Sequence, residues 1–131
     1  MVIDTSALLA VLLAEPEAEA FSRAISADPR RLVSAMSALE AAIVVTGRKG
    51  PAGAREIDLL LHTAGMVVVS LDADQVLLAR AAYQKFGKGR HPAGLNLGDC
   101  CTYALARSTG EPLLFKGNDF SKVDLRLVSW M

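Results

Sequence analysis

Four carboxylates stand in unusually apolar company. Asp4 is the only charged residue from Met1 to Ala14. Glu40 is the only one between Arg31 and Arg48, within Ala38-Leu39-Glu40-Ala41-Ala42-Ile43-Val44-Val45. Asp99 is the only one between Arg90 and Arg107, within Leu97-Gly98-Asp99-Cys100-Cys101, and Asp119 follows the run Leu113-Leu114-Phe115. A lone buried carboxylate costs several kcal/mol unless something compensates it. The first three have no cation within four positions to pair with. Two carboxylates about 4 Å apart repel by roughly 4 kcal/mol at an effective dielectric near 20, and a divalent cation turns that repulsion into attraction. An all-oxygen donor set suits Mg²⁺ or Mn²⁺ rather than zinc. Each acid also has a plainer role. Asp4 and Asp99 are helix-capping types, and Asp119 follows Gly117-Asn118 as a turn residue would. Glu40 lies mid-helix, where capping offers nothing, and would need a tertiary ion pair.

Cations gather near two of these acids. Lys85, Lys88, Arg90 and His91 surround a glycine-rich loop, Gly87 to Gly94, shortly before Asp99, and Lys116 just precedes Asp119. They are candidates for a basic rim that holds a phosphate backbone, although a solvated loop has the same composition. His91 is a candidate general acid, whereas His62, late in an amphipathic segment, reads as structural. Tyr83, Phe86 and Tyr103 are expected in the core rather than stacked on bases. Cys100 and Cys101 are adjacent, close no loop and have no second pair for zinc, so they read as small buried residues.

These side chains need elements to position them. Met1-Val2-Ile3 reads as a buried strand ending at Asp4. Ser6 is expected to cap a helix to about Leu13, and Pro16 to open the next. Arg31 to Ser34 reads as a second strand. Helices are expected over Met36–Thr46, stopped at Gly47, and Pro51–Thr63, stopped at Gly65. Met66 to Leu71 is β-branched and reads as a third strand, followed by a helix from Asp72 to Phe86. A last helix covers Leu97 to Arg107, then strands at Pro112–Phe115 and Leu125–Ser129. This alternation predicts an α/β fold with a mostly parallel sheet of about five strands. Ligands of such sheets lie beyond the carboxyl ends of the strands, where three of the four acids fall.

The 131 residues, 52% of them hydrophobic, suit a single domain over 1–131 with its own core. The 14 basic and 14 acidic residues cancel, which argues against a basic tail coating nucleic acid but not against a local patch. A mean hydropathy of +0.32 predicts strands covered on both faces or an apolar surface covered by a partner. The longest apolar run, Ala7 to Ala14, is too short to span a bilayer and lacks the preceding cations of a signal peptide. The expected location is cytoplasmic.

In order along the chain, Val2-Ile3-Asp4-Thr5-Ser6-Ala7-Leu8, Ala38-Leu39-Glu40, Leu97-Gly98-Asp99 and Leu113-Leu114-Phe115-Lys116-Gly117-Asn118-Asp119-Phe120 resemble the acidic motifs of PIN domains. More narrowly, they resemble those of the VapC-type toxins of toxin–antitoxin pairs. The resemblance spans nearly the whole chain. It implies a three-layer α/β/α sandwich and Mg²⁺- or Mn²⁺-dependent endoribonuclease activity on RNA. It also implies a cognate antitoxin partner and a homodimer. Carried onto this sequence, Asp4, Glu40, Asp99 and Asp119 form the acidic site, with Asp4 and Asp99 the first choice of metal ligands. Ser6 supports Asp4, Asn118 flanks Asp119, and Asp124 is the alternative last acid. The apolar surplus from Ala7 to Leu13, continuing to Phe21 and Ile25, is a candidate antitoxin groove, and Leu59-Leu60-Leu61 a candidate homodimer patch.

Two other readings use the same residues. A phosphoacceptor receiver domain would use Asp4 for Mg²⁺, Asp72 after the third strand as acceptor and Lys116 after a later strand, but leaves Glu40 and Asp99 unexplained. A non-catalytic PIN-like protein would keep the RNA or antitoxin surface and cleave nothing. A dehalogenase-like phosphatase would want an acid where Ser6 stands, and no glycine-rich nucleotide motif is present.

Overall fold

The computed structural model describes residues 1–131. Four strands form one parallel sheet: β1 (Val2–Ile3), β2 (Leu32–Ser34), β3 (Val67–Val69) and β4 (Leu113–Leu114), in the order β3-β2-β1-β4. Register places Val2 beside Leu32 and Leu113. Because successive strand residues face opposite ways, these three point into one core with Phe86, Cys100, Tyr103 and Phe120. Ile3, Val33 and Leu114 point into the other, with Leu8, Phe21, Ile25, Ile57 and Met66. Helices α1 (Thr5–Leu12), α2 (Ala18–Ala27), α3 (Ala35–Lys49) and α4 (Pro51–Thr63) cover the second core, and α5 (Ala73–Phe86) and α6 (Leu97–Thr109) the first. The result is the expected three-layer sandwich.

Local chemistry explains the helix starts. Asp4, Ser34, Asp72 and Asn96 each accept a hydrogen bond from a backbone N–H of the first turn they cap. Pro51 opens α4, and Gly110, at φ 73°, ends α6 in the left-handed conformation. Gly53 lets α4 lie against α3, since a Cβ there would stand 2.4 Å from the Val45 carbonyl oxygen.

Several boundaries differ from expectation. The Leu125–Ser129 segment is not a fifth strand. Only Leu127 reaches register, in a single bridge to Leu113 framed by the bonds Leu113 N–H to Arg126 O and Val128 N–H to Leu113 O. Asp4, not Ser6, caps α1, because its backbone is still extended at the strand end. Pro16 lies in a turn before α2. Ala14 adopts φ 51°, and the Glu15 N–H reaches back to Ala10 O at 2.9 Å, which closes α1 before the proline. Gly47 sits inside α3, which runs on to Lys49 and ends at Gly50. α3 is also less buried than its composition predicts: Leu39 and Ile43 are 57% and 63% exposed.

Candidate active site

All strands run the same way, so their carboxyl ends share one rim. The strand order reverses direction at β1, between β2 and β4, and ligand sites of parallel sheets open at such switch points. Asp4 follows β1 directly and is buried. Its Oδ2 accepts from Ser6 N at 3.0 Å and Ser6 Oγ at 2.7 Å, and its Oδ1 accepts from Thr102 Oγ1 at 2.7 Å. Burial raises the pKa of Asp4; the bonds from Ser6 and Thr102 lower it, and the charge of Glu40 raises it again. Ser6 Oγ also accepts from Lys116 N at 2.9 Å, which ties the end of β1 to the segment after β4. Thr102 spends its one proton on Asp4, so Ser37 Oγ, 3.2 Å away on α3, donates to Thr102.

Asp99 occupies the first turn of α6 and is 8% exposed. It forms a capping box with Asn96: Asp99 N donates to Asn96 Oδ1 at 2.9 Å, and Asn96 N to Asp99 Oδ2 at 3.1 Å. Burial pushes its carboxyl up to about 7. The charges of Asp4 and Asp119, with a carboxyl–carboxylate hydrogen bond to Asp119, act the same way against the Asn96 bond. Glu40 projects from α3 and is half-buried. Thr5 Oγ1 donates to its Oε1 at 2.7 Å. The carboxylate lies over Gly98, where a Cβ would stand 2.8 Å from Oε1 and 3.1 Å from Oε2. Asp119 is exposed on the turn after β4. The structure links the four predicted acids electrostatically: the charge of Glu40 raises Asp4, and those of Asp4 and Asp119 raise Asp99.

The predicted cations fare differently. Lys116 turns its ammonium away from the acids, to Glu15 Oε1 at 3.3 Å and Glu17 Oε2 at 3.0 Å. Its place in a rim beside Asp119 is therefore not observed, because two carboxylates on the α1–α2 turn outcompete the single acid. His91 Nδ1 accepts from Ala93 N at 3.0 Å and its ring meets the edge of Phe86, so its imidazole helps to hold the loop and only Nε2 is left for any other role. Lys85 lies 3.7 Å from Asp124 and over the Phe86 ring. Arg90 lies over Tyr83, which is 41% exposed rather than in the core. Lys88 and Arg90 are exposed on the loop. Asp124 is taken up by Tyr103 Oη at 2.7 Å, and Asn118 bonds Ser121 through its carbonyl. Phe21, Ile25, Ala7 and Leu8 are core, whereas Leu9 and Val11 to Leu13 of the same candidate groove are half-buried, and of the Leu59–Leu61 patch only Leu59 is exposed.

Sequence reasoning missed the hydroxyls. Thr5, Ser37 and Thr102 hold the acids, yet nothing in a lone Thr or Ser on a helix signals it. Asn96 was findable, because Asn-x-x-Asp is capping-box spacing. No three of the acids close on one point as a ready ligand group. The donor set nevertheless fits a hard divalent cation: it is all oxygen, its charge is uncompensated, and the Asp4 and Asp99 carboxyls are hard to ionise without one.

A family model for the PIN domain matches residues 1–125. The chain is 55% identical over 129 residues to Ribonuclease VapC30 of Mycobacterium tuberculosis, covering 98% of each. The chain belongs to the PIN-domain family, among the VapC ribonucleases. Two solved structures share the fold at 18% identity. Mycobacterium tuberculosis VapC20, described as a sarcin-ricin loop cleaving toxin, superposes with a TM-score of 0.78 over 97% of both chains. A toxin–antitoxin complex from Klebsiella pneumoniae gives 0.69 over 93% of this chain and 91% of that one.

Proposed function

We propose that this VapC-family chain is a Mg²⁺- or Mn²⁺-dependent endoribonuclease, acting in the cytoplasm as the toxin of a toxin–antitoxin pair. Asp4, Glu40, Asp99 and Asp119 are its acidic site. The observation that carries this reading is Asp99: a buried carboxyl held near 7 beside Asp4 and Asp119, with no cation among them. Asp4 and Asp99 would be the principal ligands, with Glu40 and Asp119 at the edge of the site. Bound there, the cation would supply Lewis acidity toward a phosphodiester and acidify a water molecule. Asp4 is held rigid by Ser6 and Thr102, so its oxygens are preorganised. Glu40 is fixed through Oε1 by Thr5, which leaves Oε2 to accept a proton from the attacking water. Lys88 and Arg90, with Lys85 behind them, would hold the RNA backbone.

The test is cleavage of end-labelled total RNA with Mg²⁺, Mn²⁺ or EDTA by the wild type and Asp99→Asn. We expect metal-dependent cutting that falls at least about a hundredfold in the variant, the scale of losing a group that acts in the transition state. Equal cutting by both proteins, or cutting that persists in EDTA, refutes the assignment.

The family's VapC names and the complexed neighbour support a cognate antitoxin. A homodimer is the second part of the proposal. Leu39, Ile43 and Leu97 are exposed around a groove of about 320 Å³ that reaches Glu40. Exposed apolar patches mark interaction surfaces, and we assign this one to a second copy of the chain. Ile43→Glu should then shift the sedimentation of the isolated protein from dimer to monomer.

A further inference from the structure

The segment that carries Asp119 is short and exposed, yet Asp119 acts on Asp99. Gly117, Asn118 and Asp119 all face solvent, and Gly117 turns the chain at φ 101°. The segment is pinned at both ends. Downstream, Phe120 is 1% exposed and packs edge-on against Phe115 with ring centres 5.3 Å apart. Upstream stands Lys116, held twice. Its N–H donates to Ser6 Oγ, the hydroxyl that itself donates to Asp4. Its ammonium lies between Glu15 and Glu17 on the turn between α1 and α2. That turn is itself fixed by the Glu15 N–H bond back to Ala10 O at 2.9 Å. Glu17 Oε2 is buried with no directed hydrogen bond, so the ammonium 3.0 Å away is what compensates it.

We propose that Lys116 is a positioning residue: its ion pairs with Glu15 and Glu17 lock the segment bearing Asp119 in register with Asp4, and it does not serve as a contact for RNA. This rests on the acidic-site reading above for its consequence, though not for the clamp itself. Ser6 gives the clamp its reach, because one hydroxyl receives the Lys116 amide and donates to Asp4. Neutralising either side of the ion pair removes one of the two upstream holds and leaves only the Lys116 amide bond to Ser6. Asp119 then samples positions away from Asp99, and the site loses an edge.

The two roles of Lys116 predict opposite results. We would compare Lys116→Met, Glu15→Gln with Glu17→Gln, all three together, and Lys116→Arg. Three readouts are hydrogen exchange over residues 117–119, the midpoint of a Mn²⁺ titration, and RNA affinity. A clamp predicts that Lys116→Met and the double glutamine variant each raise exchange and weaken Mn²⁺ binding by about fivefold, the scale of a partly shielded ion pair. Combining them should add nothing, and Lys116→Arg should restore the wild-type values. If Lys116 instead bound RNA, the double glutamine variant would release its ammonium and tighten RNA, while exchange and Mn²⁺ binding stayed unchanged. That outcome overturns the proposal. A wild type that binds no Mn²⁺ would overturn the acidic-site reading, and exchange over 117–119 would still decide the clamp.

Discussion

Replacing Asp99 by asparagine should stabilise the metal-free protein while silencing its site. The Asp99 carboxyl is pushed from 3.8 to about 7 by burial and by its acidic neighbours. Each pH unit is worth about 1.4 kcal/mol, so the full shift corresponds to roughly 4 kcal/mol of penalty on the charged form. Water entry and relaxation reduce what is recovered, and we expect a gain of about 2 kcal/mol at pH 8. The fold itself survives the change, because an asparagine oxygen can still accept from Asn96 N. A gain of that size raises Tm by about 8 °C for a domain of this length. The sign depends on pH. A carboxyl whose pKa is raised by folding favours the folded state fully below 3.8, and that contribution is lost as pH climbs through about 7. The wild type should therefore lose stability between pH 4.5 and 8, while the variant loses less. Asp4 is raised in the same direction and remains in both proteins, so the variant keeps some slope. Thermal unfolding at pH 4.5 and 8 in EDTA measures the difference, which should shrink to about a quarter at the lower pH, where only the ionisation just above 3.8 has set in. Saturating Mn²⁺ should then reverse the order, since binding stabilises only the protein that retains the site. A variant no more stable than wild type at pH 8, or equally more stable at both pH values, would refute the reasoning.

Three other substitutions separate stability from activity. Gly98→Ala places a methyl 2.8 Å from Glu40 Oε1 and should displace that carboxylate from Thr5. Turnover should fall about tenfold while Tm barely moves, since alanine suits the helix better than glycine. Thr102→Val removes a donor to Asp4 and leaves Ser37 unpaired; unfolding in urea should show a loss of about 2 kcal/mol, with Thr102→Ser close to wild type. Gly53→Ala forces α4 away from the Val45 carbonyl, where the added carbon would stand 2.4 Å off. It should cost about 2 kcal/mol by the same assay and leave the Mn²⁺ midpoint unchanged.

The acids were legible because charge is conspicuous in apolar sequence. Asp4, Glu40 and Asp99 each stand alone over long stretches, and burying them demanded a common explanation. The three-layer fold was legible because two-residue and three-residue apolar strands alternate with helical periods, four of the six helices capped by Asp, Ser or Asn. What was not legible depends on partners distant in sequence. Lys116 lies near Asp119 along the chain, but Glu15 and Glu17 reach it only once the turn after α1 meets the segment after β4. Thr102 and Ser37 meet across two helices, 65 residues apart. Ile43 and Leu39 read as core by type, and only the packing of α3 shows that they face outward. The expected strand at Leu125–Ser129 had the right residues, but pairing needs register, which Leu127 alone attains.

The order of strands has a consequence for how the chain comes into being. β1 precedes the other three strands along the chain, yet it lies inside the sheet, and one of its two flanks is filled only by β4, with Ile3 beside Leu114. Its acid belongs to a group whose other members are made later, Asp99 and Asp119 last of all. An unfinished polypeptide emerging from the ribosome thus carries Asp4 on a strand with an open side and has no assembled centre. The group of acids is completed only when the segment after β4 joins β1, rather than accumulating strand by strand.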